Sequence, residues 1–194
     1  EDTSLSDIRA QIETNLFGVI NVTKAAIPLM REQRAGHIIQ ISSIGSRRGS
    51  PGLGAYHAAK WGVEGFSEVL AREVGPLGIK VTIIEPGEFR TDWLGASMTI
   101  RISRPEYNST VGAVARFHRD YDGKQPGDPA RAASVIIQIA GLDEPPLRLL
   151  LGSDAVQLAE RNELARMEED RKWQSLSIST DFEQGSRAYP LGRT

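Results

Sequence analysis

Three short runs rich in β-branched and aliphatic residues alternate with helix-patterned segments, and this alternation constrains the fold more than any other feature. The runs are His37-Ile38-Ile39-Gln40-Ile41, Lys80-Val81-Thr82-Ile83-Ile84 and residues 147–151. Each is too short for a helix and lacks polar alternation, the pattern of a strand buried on both faces. Ser4, three residues before Asp7, opens the first helix, whose face carries Ile8, Ile12, Leu16, Val19, Ile20 and Thr23. Pro28 is expected to kink or divide it, and Gly36 to end the region. A second helix over 55–74 carries the stripe Ala59, Val63, Phe66 and Leu70. Further helices are predicted over 110–121 and after the cap pair Asp128-Pro129. Strand–helix–strand connections of this kind give a parallel sheet with helices on its faces. The expected class is α/β, with the chemistry in the loops beyond the carboxyl ends of the strands, residues 42–56 and 85–108.

Composition excludes several alternatives. With no Cys, the 194 residues cannot form a disulfide scaffold or a Cys-based zinc or redox site. A net charge of −2, from 23 basic and 25 acidic residues, leaves no footprint for nucleic acid or an anionic membrane. No apolar run approaches the roughly 18 residues of a membrane span. No charged-then-apolar leader opens the chain, so a cytoplasmic location is expected. His37, His57 and His118 are not spaced as a metal site, so no metal is expected. Arg47-Arg48 reads as part of a solvated loop, and the charged helix over 153–173 as a solvated or subunit-packing element, followed by a polar, ragged tail.

The candidate chemistry lies at the first strand's end. The strand runs into Ser42-Ser43, and Tyr56 and Lys60 follow at positions i and i+4 of one helix, sharing a face. A free Tyr, with a pKa near ~10, is a poor base at neutral pH. A neighbouring ammonium favours the phenolate, so Lys60 is expected to lower the Tyr56 value and let it exchange a proton with an alcohol or carbonyl oxygen. Ser43 could hold the same oxygen, and Lys60 could reach a cofactor hydroxyl. Tyr-x-x-x-Lys alone also describes a surface pair meeting by chance. A Ser ending the preceding strand and a Pro-Gly closing the next favour the catalytic reading.

The stretches Asn15-Leu16-Phe17-Gly18, Gly36-His37-Ile38-Ile39-Gln40-Ile41-Ser42-Ser43, Tyr56-His57-Ala58-Ala59-Lys60 and Glu85-Pro86-Gly87 with Thr91 together resemble the short-chain dehydrogenase/reductase family. Their order and spacing match over about residues 5–91, and more loosely to 151. The resemblance implies a Rossmann-type parallel sheet with helices on both faces. It implies NAD(P)-dependent hydride transfer between nicotinamide and an alcohol or ketone carbon. On that basis Tyr56 is the general acid/base, and Ser43, which has the family's spacing to the Tyr where Ser42 does not, holds the substrate oxygen. Lys60 tunes Tyr56 and binds the nicotinamide ribose. Asn15 supports a helix irregularity and a water linking Lys60 to solvent. Pro86 and Gly87 lie along the nicotinamide, and Thr91 bonds its carboxamide. Residues 92–108 match the variable substrate lid, with Trp93, Leu94, Met98 and Tyr107 as an apolar lining; a surface helix packed on the core fits them equally. A lipophilic small-molecule substrate and a homo-oligomer are the implied partners.

The family's Gly-rich phosphate turn, its Asn-Asn-Ala-Gly strand end and its NAD/NADP-selecting residue do not occur in this sequence. Gly49-Ser50-Pro51-Gly52-Leu53-Gly54 precedes the Tyr56 helix, and Pro51 lacks a donor N–H, so it is not the phosphate loop. The expectation is therefore the C-terminal part of the fold, with residues 1–152 as the catalytic and substrate region and 153–194 as a charged extension. The absent half would be on the order of 80–90 residues by the two-half plan of the fold. Such a chain, with one apolar sheet edge unpaired, is expected to be unstable or self-associating and to bind nicotinamide cofactor poorly alone. A non-catalytic Rossmann-like binding protein and a sugar-nucleotide epimerase or dehydratase remain the alternatives.

Overall fold

The computed structural model describes residues 1–95, 97–98 and 104–182. Ile100 and the tail from residue 183 lie outside the described residues. Contacts divide the chain into two units, Glu1–Ala159 and Glu160–Thr194.

Three strands, β1 (Gly36–Ile41), β2 (Ile79–Pro86) and β3 (Arg148–Leu151), form one parallel sheet in the order β1-β2-β3. Gly36 pairs with Ile79 and Ile83 with Arg148. Among the described residues β1 pairs with β2 alone, so its other edge is open and Ile41 is exposed there. The helices are α1 (Leu5–Ile12), α2 (Gly18–Gln33), α3 (Gly54–Val74), α4 (Val111–Tyr121), α5 (Pro129–Ala140) and α6 (Ser153–Ile178). The Ser4 and Asp128 caps form as the sequence predicts, each side chain accepting backbone N–H groups of the first turn.

The first helical segment departs from expectation at both its break and its end. α2 continues through Pro28; the interruption is a π-helical turn, Glu13–Phe17, between α1 and α2. Asn15 stands in this turn, and its Nδ2 donates to the Gln11 carbonyl at 3.3 Å and to Gln11 Oε1 at 3.1 Å. A side-chain donor on the carbonyl four residues back competes with the helical ladder, which suits an irregular turn. The end is Arg34, in the left-handed conformation, not Gly36. Gly36 instead begins β1, where a Cβ would press on the Met30 side chain.

Ile38, Leu70, Val74, Ile79 and Val81 form the core beneath α3, with Phe66, Ile27 and Met30 packed against them. Ala59 and Val63 are fully buried, so the α3 stripe faces the sheet as predicted. Burying a side chain such as Ile83 or Val63 stabilises by ~1.5–3 kcal/mol relative to leaving it in water. A second cluster joins Ile44 to Ala155 and Ala159. The strand β1 and the helix α3 therefore meet above a rigid core, and the segment between them crosses the carboxyl end of the sheet.

Candidate active site

Ser42 continues the sheet ladder, its N–H donating to the Ile84 carbonyl at 2.8 Å, and its side chain is buried. Ser43 turns away from the sheet. Its backbone is extended, it caps the short turn Ile44–Ser46, and its Oγ accepts the Gly45 N–H at 3.0 Å. With its oxygen so engaged, the hydroxyl proton is left to donate outward, and the Ser43 hydroxyl favours the ionised form of the neighbouring Tyr56.

Tyr56, in the first turn of α3, packs against Trp93 with ring centroids 5.4 Å apart and against His57 at 5.6 Å. Burial pushes its phenol up from the ordinary 10.0, and the negative charge of Glu88 adds to the rise; the Ser43 hydrogen bond opposes both. This corrects the expectation that Lys60 lowers Tyr56. The Lys60 ammonium sits 5.9 Å from the Tyr56 ring centroid, over its π face, and donates to the Ile41 carbonyl at 2.9 Å. Burial lowers the Lys60 pKa from its ordinary value. Asn15 and Lys60 line one groove of about 530 Å³ beside the open edge of β1, together with Gln40 and Ile41. The Asn15 amide is directed to Gln11.

Pro86 ends β2, and the Gly87 N–H donates to the Leu151 carbonyl at 2.8 Å. A Cβ on Gly87 would collide with the Asp154 carboxylate, which accepts the Glu88 N–H at 2.7 Å. The strand end is therefore packed closely against the first turn of α6. Burial, then the charge of Asp154, raises the Glu88 carboxyl. Thr91 is exposed, and its Oγ1 accepts the Trp93 N–H at 3.3 Å. Trp93 lies on Tyr56 and continues to His118 of α4 at 6.1 Å, while Leu94 is buried at 5% exposure. Trp93 thus meets the candidate acid/base, whereas Leu94 belongs to the packed interior.

Several participants carried no usable sequence signal. Arg47, read as a solvated loop residue, instead forms a two-pronged ion pair with Glu85, Nε to Oε1 and Nη2 to Oε2, both at 2.6 Å. Glu85 is fully buried, immediately before Pro86. His57 and His118 are buried, and Glu88 faces Tyr56 electrostatically. Their partners lie in other elements, where spacing along the chain says nothing. Among the described residues no group of three or more His, Cys, Asp or Glu could hold a metal. No described helix is long and apolar enough to cross a membrane.

Comparison with known proteins places these features in a family. Residues 1–99 match the short chain dehydrogenase family model, and the chain belongs to that family. The chain is 47% identical over 180 residues to Oxidoreductase BOA17 of Botryotinia fuckeliana, covering 93% of this chain and 66% of that protein. It is 52% identical over 159 residues to the 3-ketodihydrosphingosine reductase of Bacteroides thetaiotaomicron, covering 75% of this chain and 55% of that one. A solved short-chain dehydrogenase from Streptomyces avermitilis superimposes with a TM-score of 0.84 at 38% identity, over 93% of this chain and 66% of its own. The chain therefore spans no more than about two thirds of the length of these relatives.

Proposed function

We propose that the chain carries the proton-handling centre of an NAD(P)-dependent oxidoreductase acting on an alcohol or ketone. The observation that carries this reading is the meeting of Ser43 and Tyr56 at the carboxyl end of β1, where the Ser43 hydroxyl acts on the Tyr56 phenol, with Lys60 over the Tyr56 ring. The nicotinamide, when bound, supplies or takes the hydride. In the reducing direction Tyr56 gives its phenolic proton to the carbonyl oxygen as the carbon becomes an alcohol carbon, and the phenolate then recovers a proton from solvent. Ser43 donates to the same oxygen and stabilises the charge that develops on it. A raised Tyr56 pKa keeps the phenol protonated at neutral pH, which suits the donor role.

The residues present fit the nicotinamide end of the cofactor. Lys60 brings an ammonium to the open groove beside β1. Lys60 would bind the ribose, Pro86 and Gly87 would lie along the ring, and Thr91 would bond the carboxamide. Trp93, tilted against Tyr56, would press an apolar substrate against the acid/base. The name of the Bacteroides relative, a reductase of a ketone, agrees with that substrate class.

The test is Tyr56→Phe in the intact protein, assayed with NADH and NADPH against a panel of lipophilic ketones. Turnover should fall by at least ~10³-fold, while cofactor affinity, read by calorimetry, stays near the unsubstituted value. Retained turnover in Tyr56→Phe would remove the assignment.

A further inference from the structure

Beside the proton-handling pair, the segment that carries Ser43 is fastened to α3 by an arrangement the reaction itself does not require. The Gly45 carbonyl accepts two side-chain donors from that helix, His57 Nδ1 at 2.6 Å and Trp61 Nε1 at 2.8 Å. The opposite nitrogen of the same ring, His57 Nε2, accepts the Ser50 N–H at 3.0 Å. Because Nε2 accepts, the proton must sit on Nδ1, and one tautomer is selected. The Gly45 peptide has no slack: a Cβ there would stand 2.7 Å from His57 Cε1, 2.8 Å from Nδ1 and 3.3 Å from Ser43 Oγ. The other face of that residue, the Gly45 N–H, is the donor that occupies the Ser43 oxygen.

We propose that His57 is a positioning residue, which acts through Gly45 and its two flanking peptide units to point the Ser43 hydroxyl at the Tyr56 oxygen. The inference rests on the reading of Ser43 and Tyr56 as the proton-handling pair. The chain of contacts is short: the imidazole holds the Gly45 carbonyl, the Gly45 N–H holds the Ser43 oxygen, and the Ser43 proton is left for Tyr56. His57 and Tyr56 are adjacent in α3, so one helix sets the position of both partners. A displacement of about 1 Å in a reacting group can cost ~10²-fold in rate, so a second fastening beside Trp61 has a function.

The experiment compares His57→Phe, His57→Asn, Gly45→Ala and Ser43→Ala in the full chain. Phe keeps the ring contact with Tyr56 but loses both hydrogen bonds, whereas Asn keeps a donor close to the Nδ1 position. Tyr56 ionisation is read by near-ultraviolet difference titration against Tyr56→Phe, which needs no substrate. Losing the Ser43 donor removes the one influence that lowers Tyr56, so its titration should move up in His57→Phe, in Gly45→Ala and in Ser43→Ala. Adding His57→Phe to Ser43→Ala should move it no further, and His57→Asn should leave it near the original. An equal shift from His57→Phe with and without Ser43 would overturn the proposal, because a merely structural role is indifferent to Ser43. So would an unmoved titration in His57→Phe.

Should His57→Phe fail to fold, nitrogen NMR of the unsubstituted chain decides, with protonated Nδ1 expected and protonated Nε2 overturning the clamp. Where turnover is measurable, His57→Phe should lower kcat by ~10–100-fold with little change in KM. Turnover surviving in Tyr56→Phe would sink the catalytic reading while leaving the titration result standing, so the two failures are distinguishable.

Discussion

Replacing Arg47 with Met should destabilise the chain far more than a loop position suggests. The guanidinium is 21% exposed and its partner carboxylate, Glu85, is not exposed at all; both prongs of the pair measure 2.6 Å. At an effective dielectric constant of about 20, two unit charges ~4 Å apart attract by ~4 kcal/mol. Removing one partner of such a pair leaves a buried, uncompensated charge and typically costs ~3–5 kcal/mol. Met retains most of the Arg stem, so the loss reports on charge more than on packing. Against the ~5–15 kcal/mol that holds a domain folded, this is a large share. It corresponds to a fall in melting temperature of ~6–20 °C for a chain of this size. Urea unfolding followed by circular dichroism measures it, with Glu85→Leu and the double variant completing a cycle. The double variant should recover most of the loss, since replacing both charges with apolar groups leaves neither member of the pair buried and uncompensated. Arg47→Met within ~1 kcal/mol of the original, or a double variant as unstable as Arg47→Met, would refute the argument.

Gly78→Ala should destabilise by several kcal/mol (~2–4, from the left-handed backbone and backbone overlap together), because Gly78 has φ of +81° and a Cβ there would collide with the Arg34 carbonyl oxygen; a thermal melt within a degree of the original would contradict this. Glu88→Gln removes a negative charge that disfavours the phenolate, so Tyr56 should lose its proton at lower pH and the rate profile for alcohol oxidation should move toward acid; movement toward alkali would contradict the assigned electrostatics. His118 is lowered from 6.5 by burial, so the unfolded chain takes up that proton first as pH falls. Its contribution is therefore present above about pH 6.5 and is lost as pH falls from there toward the lowered folded value. His118→Phe should flatten that acid-side decline in a pH series of urea midpoints, leaving the share due to His37, which is lowered in the same direction and for the same first cause, burial.

How much of this could be read beforehand depended on whether a residue acts within its own element or across elements. The strands 36–41 and 79–86 were legible because a parallel strand buried on both faces must be apolar throughout. The shared face of Tyr56 and Lys60 was legible because helical spacing alone places them together. What was not foreseen is that Lys60 leaves the Tyr56 pKa unlowered. Its distance from Tyr56 follows from the helix, but its choice of the Ile41 carbonyl depends on where β1 ends relative to α3. Arg47 was misjudged for the same reason, since its partner is 38 residues away on β2 and no local pattern marks a Glu at a strand end as buried. That the helix is irregular at Asn15 was expected only through the family likeness, and its form as a π turn over 13–17 was not. Residue by residue, Asn15 is merely a poor helix former, and Pro28 looks the more disruptive of the two.

α3 accounts for why these long-range contacts converge. Going down the helix, Tyr56 and Lys60 turn one face to the open end of the sheet, while His57 and Trp61, each one position later, turn the neighbouring face to the Gly45 carbonyl. One turn beyond, Glu64 accepts the Ser46 hydroxyl at 3.0 Å with one oxygen and Arg148 Nε of β3 at 3.1 Å with the other. Successive turns of one rigid element therefore carry the acid/base, hold the loop that aims Ser43 at it, and tie that loop to the third strand. The helix is itself seated by Ala59, Val63 and Leu70, which are buried against the core. A perturbation that loosens this seating should consequently disturb the Ser43–Tyr56 hydrogen bond before it unfolds the sheet. In Val63→Ala, where the lost methyls leave a void under α3 and cost ~1–3 kcal/mol, the Tyr56 titration should rise at pH and temperature where circular dichroism is still unchanged. A Tyr56 titration that holds its original position until the sheet itself melts would show that Ser43 is aimed by its own loop and not by the helix.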